Sequence, residues 1–293
     1  MILFRLFLLL DSVLMRLPHS WRRALFTSLA RLARFFAPSR NRVIRQNLRF
    51  AFGDTLAEEE IDAIEYSCYR NLGLNLLQVM ENRHYTTEDF TKRVSFENRE
   101  HVDALLAQGK SIIFVSAHFG NWEMGATALS ALITPTTSIY KAFKRIEFDP
   151  YLLESRTPHG MDLAEKSGAL KHLARALKNG NSVSLMIDQS SNPRHGVAVD
   201  FFGHSTFHSS TPAILSYKYN APIVGLYIFS DDGENFTIRF ENPIEVESDD
   251  AQGILKATQE QANALEKVIR LEPKFWFWCH KRWKSEFPEI YAG

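Results

Sequence analysis

The sequence predicts an α/β fold with helices on both faces of a buried sheet, and three observations lead there. Ser111–Ala117 (SIIFVSA) and Val183–Ile187 (VSLMI) are short continuous apolar runs, as expected of strands covered on both sides. Helical stretches with apolar residues on one side alternate with such runs along the chain. The chain has 293 residues, 45% of them hydrophobic, enough for one large domain, or one domain with a helical appendage.

The N-terminal region stands apart. Met1–Leu17 is apolar but interrupted by Arg5 and Asp11, and it is shorter than the roughly 20 residues a simple transmembrane helix needs. Pro18, His19, Ser20 and Trp21 follow, which is no signal-peptidase site. The expectation is an uncleaved anchor lying in, or partly through, a bilayer. Trp21–Phe36 interleaves Leu and Phe with Arg22, Arg23, Arg31 and Arg34. This is the pattern of an interfacial helix, or of a helix packed on the body with its arginines in water. Residues 1–53 carry ten Arg against Asp11 alone, net +9, so the other 240 residues sum to −9. On charge alone, membrane phosphate and nucleic acid both qualify as partners. This sets residues 1–40, an anchor and a basic amphipathic helix, apart from the main domain, 41–293.

The remaining elements follow from periodicity. Residues 41–84 read as helical, with Glu58–Glu60 opening an apolar series. Helices are expected over Trp122–Leu132, Ser167–Asn179, Thr211–Tyr219 and Gln252–Leu271, the last stopped by Pro273. Further strands are expected at Thr137–Tyr140, Ile223–Phe229 and Phe236–Phe240, the last two joined by a turn at Asp232-Gly233. Cys68 and Cys279 lie far apart, no Cys/His metal pattern exists, and no cofactor is implied.

The chemistry concentrates in Ala117–Glu123, AHFGNWE, at the carboxyl end of the first strand, where open α/β sheets build their sites. His118 is the candidate general base. Five residues apart, His118 and Glu123 would diverge by about 140° on one continuous helix, so they can meet only across a turn. Gly120 permits that turn and Asn121 is a good N-cap for the helix after it. Glu123 is then expected to reach back and hold the imidazole, as a carboxylate does in a catalytic triad. No Ser or Cys sits in a nucleophile-elbow pattern nearby, so the base should act directly on a substrate hydroxyl.

HFGNWE resembles the His-x4-acid block of the lysophospholipid acyltransferase superfamily. Other blocks narrow the resemblance to the late acyltransferases of lipid A biosynthesis, the lauroyl/myristoyl transferase family. They are Asn47-Leu48, Gly109–Glu123, the basic segment from Tyr140-Lys141 to Arg156, Asp188-Gln189, Gly196–Gly203 and Pro273–Lys284. The resemblance runs from about residue 40 to about residue 285. It implies a glycerolphosphate-acyltransferase-like α/β sandwich with an N-terminal membrane-associated helical region, at the inner membrane with its catalytic domain facing the cytoplasm. It implies acyl carrier protein as thioester donor and a phosphorylated glycolipid, a lipid A precursor, as acceptor, with no nucleic acid partner. His118 would be the base and Glu123 its orienting acid. Asn121, Lys141, Lys144, Arg156 and Asp188 would line the substrate site. Arg156 would hold phosphate or stabilise an oxyanion, or form an ordinary salt bridge. Asp188 would line the cleft or cap a turn, and the two lysines would bind phosphate or simply be solvated. Phe143–Arg145 and Asp149-Pro150 depart from the family's usual text, which leaves other glycolipid or lysophospholipid acceptors open. Hydrolysis by the same pair would make a thioesterase. The tryptophans 276, 278 and 283 among cations suit a membrane interface or an acidic carrier protein.

Overall fold

A computed structural model describes residues 2–142, 148–194 and 196–292. Among the described residues nine strands form two sheets. They are β1 (Val94–Glu97), β2 (Ile113–Ser116), β3 (Thr136–Tyr140), β4 (Met161–Glu165), β5 (Ser182–Met186), β6 (Gly196–Phe201), β7 (His204–Ser209), β8 (Ile223–Phe229) and β9 (Phe236–Phe240). Seven make one sheet in the order β1-β9-β8-β2-β5-β3-β4, and β6-β7 is a separate hairpin. The strands β8, β2, β5, β3 and β4 run parallel, while β9 turns back antiparallel to β8 and β1 runs alongside β9.

Successive side chains leave a strand on opposite faces, and the apolar runs use this on both sides. Ile113 and Val115 enter one core with Val183, Leu185 and Ile223. Phe114 enters a second with Val224, Leu226 and Ile228. The first core is covered by α3 (Pro38–Phe52), α4 (Glu58–Asn82), α9 (Ala169–Lys178), α10 (Thr211–Tyr219) and α11 (Ala251–Leu271). The second is covered by α5 (Thr87–Arg93), α6 (Arg99–Ala107) and α7 (Trp122–Leu132). Two-sided coverage is what the continuous apolar runs require.

The helical stretch read over 41–84 is two helices, because Gly53 takes φ +59°, the left-handed region, and ends α3 before Glu58–Glu60 open α4. The β6–β7 hairpin was not foreseen; its turn places Phe202 at φ +58° and Gly203 at φ +75°, both positive as a type I′ turn demands. Trp276, Trp278 and Trp283 are 2%, 0% and 0% exposed and pack against Phe201 and Phe202, so they fill core rather than face a membrane or a carrier protein.

The N-terminal arm is α1 (Ile2–Leu14) and α2 (His19–Phe35). The arm docks on the body through ion pairs. Arg22 meets Glu81 at 3.1 Å, Arg34 meets Glu65 at 2.7 Å, Arg23 meets Glu234 at 3.2 Å, and Asp11 meets Arg83 at 2.8 Å. Further on, Arg45 and Arg49 pair with Glu65 and Glu58. Much of the +9 charge is therefore balanced within the molecule. Leu3, Leu6, Leu9, Leu10 and Val13 on α1 remain exposed, as do Trp21, Leu29, Leu32, Phe35 and Phe36 at α2 and its end. Among the described residues no helix is long and apolar enough to cross a membrane.

Candidate active site

β2 and β5 are adjacent and parallel, so their carboxyl ends share one edge of the sheet. His118 follows β2 and Asp188 follows β5. The C-terminal segment closes over this edge like an extra strand. Phe119 pairs with Trp276 in an antiparallel bridge. The Phe277 N–H donates to the His118 carbonyl at 2.9 Å, and the Gly120 N–H donates to the Phe275 carbonyl at 2.8 Å. Gly120 has φ +57°, and a Cβ there would lie 2.1 Å from the Ile228 carbonyl oxygen, so only glycine fits. Asn121 then caps α7 as expected, its Oδ1 accepting from the Met124 N–H at 3.1 Å. Its side chain is thus spent on the helix start rather than presented to a substrate.

The carboxylate that holds His118 is Asp188. Its Oδ1 lies 3.0 Å from His118 Nδ1, and its Oδ2 accepts from the His118 backbone N–H and from Trp276 Nε1, both at 3.1 Å. An ionised carboxylate only accepts, so Nδ1 carries the proton and the neutral ring keeps its free lone pair on Nε2. Burial pulls the imidazole pKa down, but the charge and hydrogen bond of Asp188 outweigh it and the net shift is upward. Burial likewise raises Asp188, and its bonds to His118 and Trp276 bring it below the ordinary carboxylate range. Asp188 is 4% exposed and the His118 side chain 25%. A buried acid thus orients a base that solvent or substrate can reach.

Glu123 does not take the expected place. In the first turn of α7 its carboxylate meets Arg156 in a fork. Arg156 Nε donates at 3.0 Å to one oxygen, and Nη2 donates at 2.7 and 2.9 Å to the two. No hydrogen bond joins Glu123 to His118 among the described residues. The physical reason is competition: a bidentate guanidinium is a stronger partner for a carboxylate than one imidazole N–H. Arg156, which follows α8 (Asp149–Glu154), has its fork occupied by Glu123. Asp188, expected among substrate contacts, spends its lone pairs on His118 and Trp276. Lys141 is exposed just past the end of β3, on the same edge of the sheet, and Lys144 lies outside the described residues.

Beside the pair is a cleft holding about 660 Å³ of space, open solvent at its mouth included. Phe114, Leu129, Ile139, Met161, Met186 and Ile228 make its apolar lining, and Trp122, Glu123 and Arg156 also border it. The Trp122 ring lies 5.2 Å from the His118 ring and links the cleft to the base.

A base at a strand end, a buried acid behind it and an apolar cleft alongside suit acyl transfer to a hydroxyl. The family described as bacterial lipid A biosynthesis acyltransferase matches residues 2–285. The chain belongs to that family. Among curated proteins, this acyltransferase is 24% identical over 194 residues to a phosphatidylinositol mannoside acyltransferase of Mycolicibacterium smegmatis, covering 65% of this chain and 62% of the relative. It is 22% identical over 277 residues to the lipid A biosynthesis lauroyltransferase of Escherichia coli K12, covering 93% and 88%. It is 21% identical over 272 residues to the palmitoleoyltransferase of the same organism, covering 92% and 87%.

Sequence reading of this acyltransferase placed Asp188 at the right edge of the sheet but missed its partner. The signal was present: a strand-end His and a strand-end Asp are adjacent if their strands are neighbours, and only the strand order was lacking. Trp276 and Phe277, which hold Asp188 and the His118 carbonyl, lie in the Pro273–Lys284 block that the sequence marked, but nothing in that block showed this role.

Proposed function

We propose that the protein transfers a fatty acyl chain from a thioester on acyl carrier protein to a hydroxyl of a lipid A precursor. The observation that carries this is the Asp188–His118 pair, which leaves Nε2 as an unprotonated base at the carboxyl edge of the sheet. The hydroxyl proton passes to Nε2 and the oxygen bonds to the thioester carbonyl carbon. The C–S bond then breaks, and the leaving sulfur takes the proton back from the imidazolium. Asp188 stabilises that imidazolium. The apolar cleft receives the acyl chain, and the Glu123–Arg156 pair gives its wall a charged, fixed point. The developing oxyanion needs donors nearby, and an exposed cation such as Lys141 suits the phosphate of the acceptor.

The arm, in this reading, lies in the interface of the inner membrane with the catalytic edge toward the cytoplasm. What supports it is the row of exposed Leu, Val, Trp and Phe on α1 and α2, more apolar surface than a soluble helix pair leaves uncovered. A mannosylated inositol lipid as acceptor is the second reading, favoured by the mycobacterial relative.

The test is mass spectrometry of lipid A from cells lacking the protein, complemented with wild type or His118→Ala. One acyl chain should be missing, restored by wild type and not by the variant. Unchanged lipid A would sink this acceptor. Free fatty acid without acylated lipid would make the protein a thioesterase.

A further inference from the structure

The inner face of α4 is not what a buried helix face ordinarily is. Asn71, Asn75, Gln78 and Asn82 recur at helical spacing and form a stripe of amides, all 7% exposed or less. Burying amides is costly unless each is hydrogen-bonded, and these are. One of them bonds to both sides of the turn after His118. Asn75 Nδ2 donates to the Gly120 carbonyl at 2.8 Å, and Asn75 Oδ1 accepts from the Glu123 N–H at 3.1 Å. Gln78 Oε1 accepts more weakly from Asn121 Nδ2 at 3.4 Å.

The turn from His118 to Glu123 therefore has two supports. On one side the C-terminal segment holds the His118 carbonyl and the Gly120 N–H. On the other, Asn75 holds the Gly120 carbonyl and the Glu123 N–H. The second support sets the separation of two functional pairs, His118–Asp188 before the turn and Glu123–Arg156 after it. It needs one donor and one acceptor on a short side chain. Leucine, of nearly the same shape, offers neither, and glutamine offers both one methylene farther out.

We propose that Asn75 is a positioning residue for acyl transfer, setting where the His118 imidazole stands relative to Asp188 and to the Glu123–Arg156 pair. This rests on the reading of His118 as the base. Asn75 touches no reacting atom and acts through the backbone of the turn.

The experiment compares wild type, Asn75→Leu, Asn75→Gln, Leu77→Ala and His118→Ala as full chains, using an acyl thioester of acyl carrier protein with a lipid A precursor as acceptor, and reading thiol release that depends on the acceptor. Leu77 is buried on the same helix, so Leu77→Ala shows what loss of stability alone does. For Asn75→Leu, kcat should fall about 100-fold, the cost of a misplacement near 1 Å, with KM for the thioester within about threefold. The acid limb of its pH–rate profile should also move, because His118 no longer sits at its native distance from Asp188. Asn75→Gln should recover part of the loss, and it carries the test if Asn75→Leu fails to fold. Leu77→Ala should leave kcat per folded molecule and the acid limb in place.

The inference is overturned if both Asn75 variants keep kcat and the acid limb of wild type, or if they lose activity only in proportion to unfolded protein, as Leu77→Ala does. An inactive His118→Ala beside an unaffected Asn75→Leu would overturn this inference alone. A fully active His118→Ala would overturn the reading of the base beneath it.

Discussion

His118 gains its chemistry from what it touches. Asp188 holds the imidazole pKa above its ordinary value of about 6.5 although burial works against it. A base must be neutral to act, so kcat/KM should fall as pH drops through that raised value. The acid limb is expected above pH 6.5, while Asp188, held low by its three hydrogen bonds, stays ionised throughout. Asp188→Asn removes the charge and leaves the burial, so the acid limb should move down. Activity should drop about 10³- to 10⁴-fold, the scale seen when the acid behind a catalytic imidazole is neutralised. A pH–rate profile of wild type and variant checks both; a variant with the wild-type limb would remove Asp188 from the mechanism. Both residues were legible as strand-end candidates. Their pairing was not, because it depends on β2 and β5 being neighbours although 65 residues lie between the end of one and the start of the other. Proximity in sequence pointed instead to Glu123, which a guanidinium from another part of the chain has claimed.

At the scale of elements, glycine and asparagine placed the turn and helix correctly. Gly120 has the left-handed φ and the close backbone approach that its position required, and Asn121 caps α7. Gly120→Ala should cost roughly 2–4 kcal/mol, combining the left-handed penalty with a backbone clash. Chemical denaturation followed by circular dichroism measures it, and a loss below 1 kcal/mol would show that the turn relaxes freely. The strands with continuous apolar text were found in the sequence, with ends shifted by a residue or two. The strands β1 and β4 were missed, being edge elements without two buried faces. The β6–β7 hairpin was missed because its turn holds Phe at a positive φ, which no turn rule favours.

Over the whole molecule, composition gave residues 1–53 a net charge of +9 and the rest −9, and the fold brings the two together. With Arg22, Arg23, Arg34, Arg45 and Arg49 paired to body carboxylates, the membrane contact proposed for the arm falls to the exposed apolar side chains of α1 and α2. Attachment to vesicles containing anionic phospholipid should therefore survive about 1 M salt, where charges are screened beyond roughly 3 Å. Replacing Leu9 and Leu29 by Asp, both exposed, should release the protein at any salt. Cosedimentation measures this, and release of the wild type by salt alone would return the arm's charge to the leading role.

The sequence by itself determined the family, the two-sided α/β core and the histidine at the end of its central strand. These depend on local text: apolar runs, caps, and motifs a few residues long. Which carboxylate faces the histidine, where the three tryptophans go and what the arginines meet were decided only by tertiary structure. Each depends on which distant segments become neighbours. That is settled by packing the whole core at once, and it leaves no mark in any one stretch of chain.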